Sequence, residues 1–243
     1  MRRYRSIFRS ALIFMALSVL VGCASTQPGE LSAVQAFSRQ QRAGNVYLLR
    51  GWIGIFSAGI DRLADKINAA GVRANVYQAD QWEDLAHAIE KKYKSAPMQE
   101  PLILAGHSFG ADDALRISTM LQDAGITVDL VIAIDPVTPP PVPGNVRRCL
   151  DIYQSNGSWD KVPAFRGVPL QLAEGSRTQL QNVDIRKDRI DLLEPGTDHF
   201  NIEKKGKVHM EVLRQILAVC PPRAQWIAHP ISAPPSISAA KKE

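Results

Sequence analysis

The sequence predicts an α/β protein, a mostly parallel sheet with helices on both faces. Three observations carry this. Short apolar runs without alternation recur along the chain, as strands buried on both faces require. Between them, apolar residues fall three and four apart, the spacing of one helix face. A Gly-x-Ser-x-Gly stretch stands where a strand gives way to a helix.

Asn45 to Leu49 is the first buried strand, running into the loop Arg50-Gly51-Trp52-Ile53-Gly54. Ile60, Leu63, Ala64 and Ile67 place an amphipathic helix over 57–70, stopped by Gly71. Val72 to Tyr77 is strand-like, and Trp82, Leu85, Ile89 and Tyr93 mark a second helix. Pro101 to Ala105 is a short strand, 111–123 a third helix closed by Gly125, and Val128 to Ile134 another buried strand. Five prolines between Pro136 and Pro143 then make a stiff extended segment ending at Gly144. Cys149 to Gln154 is a further strand, 156–177 is loop-rich, and Val183 to Ile185 is a short strand. Val208, Val212, Leu213, Ile216, Leu217 and Cys220 form a last amphipathic helix. From Pro221 onward, Pro, Ser and Ala dominate, and a disordered tail over 221–243 is expected. The folded domain is thus expected over 45–220.

The first segment reads differently. Arg2, Arg3, Arg5 and Arg9 precede an apolar run, Ala11 to Val21, that ends at Gly22-Cys23. A basic start, a short apolar middle and a small residue at the boundary make an export signal over 1–22. The run is too short for a comfortable membrane span. Residues 23–44 read as a polar tether. Of the 29 basic residues against 24 acidic ones, four lie in the signal with no acid beside them, so the rest of the chain is nearly neutral. No nucleic-acid footprint is expected. Three cysteines show no CxxC and no zinc-ligand spacing, so no metal is expected. Cys149 and Cys220 are either a disulfide or two buried thiols, the latter preferred.

The sharpest chemical signal is Gly106-His107-Ser108-Phe109-Gly110. A serine hydroxyl becomes a nucleophile when it is presented, has a base for its proton, and finds donors for the oxyanion that forms. A tight strand-to-helix turn presents it, and crowding there requires glycine two residues to either side. The motif alone recurs by chance; the strand before it and the helix after it make it specific.

Ala105 to Ala111 resembles the nucleophile elbow of the α/β-hydrolases, above all their lipase and thioesterase branches. The resemblance covers about 45–220. It implies a Ser, acid, His order along the chain and a serine hydrolase acting on small acyl esters, thioesters or lipids, with no cofactor. The catalytic base is then expected late, in the loop before the last helix, where His199 stands in Gly-Thr-Asp-His-Phe. His87, His107, His209 and His229 fit less well; His107 flanks the nucleophile and is expected to point away. For the acid, Ala133-Ile134-Asp135-Pro136 resembles the position used by some lipases and thioesterases, one strand after the elbow. The commoner position, a strand later, offers Asp160, with Asp184, Asp188 and Asp191 more distant. Asp135 is the choice, and its alternative is a simple turn former.

The oxyanion hole is assigned to the backbone N–H groups of Phe109 and Trp52. Many relatives carry His-Gly where this chain has Arg50-Gly51, so Arg50 is either a cation at the site's mouth or a structural ion-pair residue. Phe56, Trp159 and Phe165 are aromatic candidates for an acyl pocket. The Leu20-Val21-Gly22-Cys23 ending resembles the lipobox of bacterial lipoproteins. That implies lipidation at Cys23 and attachment to a membrane, with Ala24 pointing to the outer membrane facing the periplasm. Two rivals stay open: an acyltransferase on the same triad, and a binding protein that keeps the fold without catalysis.

Overall fold

The computed structural model describes residues 40–51, 58–96, 99–157, 161–162 and 167–228. Six strands form one sheet: β1 (Asn45–Leu49), β2 (Arg73–Tyr77), β3 (Leu102–His107), β4 (Val128–Ile134), β5 (Val146–Tyr153) and β6 (Gln179–Asp184). Their order is β2-β1-β3-β4-β5-β6, and every pairing is parallel. The helices are α1 (Ala58–Ala69), α2 (Trp82–Ser95), α3 (Phe109–Asp123), α4 (Gly206–Val219) and a short α5 (Arg223–Ala228).

Parallel strands need crossovers, and the helices supply them on both faces. On one face, Leu85 and Ile89 of α2 and Leu115 of α3 pack with Leu49, Leu104 and Val131 of the sheet. On the other, Ile60 and Leu63 of α1 and Val208 and Val212 of α4 pack with Val46, Leu48, Ile103 and Ile132. The alternation within β1 and β3 decides which side chain meets which helix pair. Strands covered on both sides have no polar face to show, hence their continuous apolar runs. The order reverses between β1 and β3, the point where a crevice opens at the carboxyl edge of such sheets. Together with the serine elbow described below, this is the α/β-hydrolase fold.

Several expectations shift. β5 starts at Val146 rather than Cys149 because its approach is pinned: the Asn145 side-chain amide donates to the carbonyls of Ser118 and Ile126 at 2.9 Å each, and Gly144 N–H donates to Gln122. β6 is twice the predicted length. As an edge strand it leaves Gln179, Gln181 and Asn182 exposed, so only its inner end reads as apolar.

The expected boundaries at 44 and 221 also move. Arg42 bridges antiparallel to Pro222, and Ala43 N–H donates to the Pro221 carbonyl at 2.9 Å. Beyond them α5 buries Trp226, while Arg223 ion-pairs with Glu100. Residues 40–44 therefore belong to the fold, as do residues 221–228. Composition hid this because one buried tryptophan and a main-chain pairing hold the segment, without a run of apolar residues. The rest of the tether and tail, and the signal with Cys23, lie outside the described residues.

Cys149 and Cys220 are free and buried, in the cores on opposite faces of the sheet. Among the described residues no helix is long and apolar enough to cross a membrane, and no cluster of His, Cys, Asp or Glu is arranged to hold a metal ion.

Candidate active site

Because every strand points the same way, the segments that follow β1, β3, β4 and β5 gather at one edge. Ser108 follows β3 directly and caps α3, with φ 58° and ψ −128°. Left-handed backbone at a non-glycine residue is strained, and it persists only where the surroundings enforce it. They do so here. The Ser108 N–H donates to the Ile134 carbonyl at 2.9 Å, and its own carbonyl accepts from Ala111 N–H at 3.0 Å. A β-carbon on Gly106 would collide with the Gly110 backbone. One on Gly110 would stand 2.5 Å from the carbonyl oxygens of Leu49 and Arg50. The two glycines of the motif thus let α3 start tight against β3 and against the end of β1.

Asp135 follows β4 in the same manner, at φ 51°. Its N–H donates to the Ile152 carbonyl at 2.9 Å, and its carboxylate Oδ1 accepts from Gln154 N–H at 3.0 Å. His199 lies in the turn before Ile202–Lys204, a short 3₁₀ segment leading to α4. The structure brings these three together. Ser108 Oγ is 3.0 Å from His199 Nε2, and His199 Nδ1 is 2.8 Å from Asp135 Oδ2. A carboxylate only accepts, so Nδ1 carries a proton, and in the neutral ring Nε2 then offers its lone pair to the serine hydroxyl. Exposure falls along the relay, from 7% at Ser108 to 4% at His199 and 0% at Asp135. The carboxylate is thus removed from water and spends its charge on the imidazole and one amide.

The remaining candidates sort as follows. Phe109 is the first residue of α3, where main-chain N–H groups face outward from the helix start. Trp52, Phe56, Asp160, Trp159, Phe165 and His229 lie outside the described residues. Asp184 is buried at the end of β6 and serves turn backbone, accepting from Ser155 and Arg186 N–H. Asp188 accepts from Asp184 N–H, and Asp191 pairs with Arg189. None of these three is bonded to His199. Arg50 pairs with Asp61 of α1, which is the structural role of the two expected for it. His87 is exposed on α2 and lies 3.8 Å from Glu90.

Three polar groups were not legible as part of this constellation. His107 does not point away: its ring is 5.3 Å from that of His199, and its Nε2–H donates to the His199 carbonyl at 2.8 Å. Burial, and then the neighbouring His199, push its basicity down to about 3. A polar residue closing the otherwise apolar strand Leu-Ile-Leu-Ala-Gly-His was the available signal. Asp112, fully buried in the first turn of α3, accepts from Val137 N–H at 3.1 Å and from Thr138 N–H at 2.8 Å, fixing the segment that follows Asp135. Arg186 donates to Gln154 Oε1 at 2.7 Å and to the Thr197 carbonyl at 2.9 Å, tying the end of β5 to the His199 turn.

Against families, residues 49–149 match the thioesterase domain model. That stretch holds Ser108 and Asp135 and stops short of His199. No curated protein matches the chain. Among solved structures, the chain is similar to the NocB thioesterase domain of the nocardicin cluster, at 14% identity and TM-score 0.43 over 72% of this chain and 95% of that one. It is also similar to Est1E from Butyrivibrio proteoclasticus, at 13% identity and TM-score 0.45 over 75% and 92%. A third likeness is to the RedJ thioesterase of the prodiginine pathway in Streptomyces coelicolor, at 12% identity and TM-score 0.38 over 81% and 94%. The family match supports an ester or thioester hydrolase; the fold itself is carried by the sheet order and the Ser108 elbow.

Proposed function

We propose that the protein is a serine hydrolase that cleaves carboxylic ester or thioester bonds through an acyl-enzyme on Ser108. The observation that carries this is the unbroken relay from Ser108 through His199 to the desolvated Asp135. Ser108 Oγ attacks the acyl carbonyl carbon as its proton passes to His199 Nε2. Asp135 balances the imidazolium that results. The carbonyl oxygen becomes an oxyanion, held by the N–H groups of Phe109 and Trp52. Collapse expels the alcohol or thiol, which takes the proton from His199. A water then repeats the sequence on the acyl-enzyme, releasing the acid and restoring the serine.

The site's place in the cell is part of the same reading: a lipoprotein anchored at Cys23 in the outer membrane, with the hydrolase domain in the periplasm. Supporting it are the basic start, the apolar run and the lipobox-like ending of the first 23 residues. Labelling cells with an alkyne fatty acid tests it. The parent is expected to carry the label and Cys23→Ala to lack it; an unlabelled parent refutes the anchor.

The chemistry is tested by intact mass after exposure to a fluorophosphonate. One adduct is expected on the parent, none on Ser108→Ala, and an adduct slowed by at least about a hundredfold on His199→Ala. An unmodified but folded parent would remove the hydrolase reading and leave a binding role for the fold.

A further inference from the structure

The turn that carries His199 is gripped at both ends by buried imidazoles that the mechanism does not use. At its start, His107 Nε2–H, at the end of β3, donates to the His199 carbonyl at 2.8 Å. At its end, His209 Nε2–H, in α4, donates to the Glu203 carbonyl at 2.5 Å. Both histidines are buried, and each contact spans separate elements.

Elementary donor counting fixes both tautomers. A carbonyl oxygen only accepts, so each Nε2 carries a proton. At His209 the second nitrogen, Nδ1, stands 3.0 Å from Lys66 Nζ. An ammonium only donates, so this Nδ1 accepts and the ring is neutral. His107 faces His199 and Lys204, and His209 faces Lys66, Arg62 and Glu194. Burial and the cations around each ring disfavour a second proton.

We propose that His107 and His209 are positioning residues, a pair of neutral Nε2–H clamps that fix residues 199–203 so that His199 Nε2 stays on the Ser108 hydroxyl. His107 acts on the catalytic residue's own carbonyl, so its loss lets the His199 backbone move relative to the elbow. His209 acts four residues on and sets where the turn joins α4. A shift of about 1 Å in a reacting group costs up to about a hundredfold in rate. The two grips therefore matter to the rate beyond what they add to stability.

The inference rests on the proposed nucleophile, and two measurements separate the failure of one from the failure of the other. The first is the tautomer. Long-range 1H–15N spectra of the imidazoles are expected to show both rings neutral with the proton on Nε2 at pH 7, His107 down to pH 5 and His209 titrating below the ordinary histidine range. A proton on Nδ1, or titration of either ring near pH 6.5, overturns the clamp whether or not the protein is an enzyme. The second is the fluorophosphonate labelling rate. A glutamine amide nitrogen stands close to where Nε2 stood, and phenylalanine fills the space without a donor. His107→Gln is expected within about threefold of the parent and His107→Phe slowed by tenfold or more, with melting temperatures of the two variants alike. His87→Ala, exposed on α2, serves as a folded reference. Equal labelling of the glutamine and phenylalanine variants, on a parent that labels, overturns the inference and leaves the serine mechanism intact.

Discussion

At the scale of single residues, the site is built from groups whose neighbours leave them one arrangement. Gly167 shows how little room there is. A β-carbon there would fall on Asp135 Oδ1 and its carboxyl carbon, and close to Tyr153. Gly167→Ala must therefore displace the acid or its own backbone. Fluorophosphonate labelling is expected to slow by about tenfold or more, as small displacements of catalytic groups do. Gly144→Ala, whose β-carbon would meet Gln122 at an ordinary 3.6 Å, is expected to label like the parent. Similar rates for both variants would show that the carboxylate tolerates movement. Ser108, Asp135 and His199 are legible in the sequence because each sits at a landmark: after a strand, after the next strand, before the long amphipathic helix α4. His107, Asp112 and Arg186 are not. Their partners lie 92, 25 and 11 residues away along the chain, and no local pattern records a contact of that kind.

At the scale of elements, α3 does more than follow the serine. Its first turn holds Asp112, whose carboxylate accepts from Val137 N–H, Thr138 N–H and the Thr138 hydroxyl. The helix thereby anchors the segment leaving Asp135, and elbow and acid are braced by one element. Asp112→Ala strands one buried donor, Val137 N–H, while the two donors of exposed Thr138 turn to water. The cost expected is about 1–3 kcal/mol, that of one buried group left unmatched. Asp112→Asn retains one oxygen and is expected to cost less. Urea unfolding of the three proteins checks the ranking; equal midpoints would mean that the 136–138 segment is held by other contacts. The strands and helices were mostly readable because burial on both faces of a parallel sheet writes itself into long apolar runs and helical spacing. β6 and α5 were not. One is an edge strand with an exposed polar half, the other a single turn and a half secured by Trp226 and an ion pair.

At the scale of the whole molecule, buried titratable groups set opposing trends with pH. His107 and His209 stay neutral in the fold, while the unfolded chain protonates them below about 6.5. Their contribution is complete above that pH and is lost as pH falls toward about 3 for His107. Glu203 runs the other way. It is fully buried, with Lys204 at 3.7 Å and the backbone N–H groups of Gly59 and of Glu203 itself beside its carboxylate. Burial raises it to about 7, so the fold keeps its proton after the unfolded chain has lost it. That contribution is present at low pH and disappears as pH rises from about 4.5 through about 7. Glu203→Gln removes the ionisation. Its stability relative to the parent is expected to rise by on the order of 2 kcal/mol between pH 5 and pH 7.5, followed by urea unfolding at each pH. A difference independent of pH would show that Glu203 ionises in the fold as it does in water.

The placement of the two thiols has a consequence for how the chain must mature. In the finished molecule the six-stranded sheet stands between Cys149 and Cys220 as an insulating wall, and burial pushes both thiols up, away from the reactive thiolate. Air, peroxide or a disulfide donor therefore has no way to join these two. The unfolded polypeptide has no such wall, and its sulfurs meet freely. Wherever the surroundings are oxidising, this pair is safe in the product and at risk in its precursor, and collapse around the sheet races against sulfur chemistry.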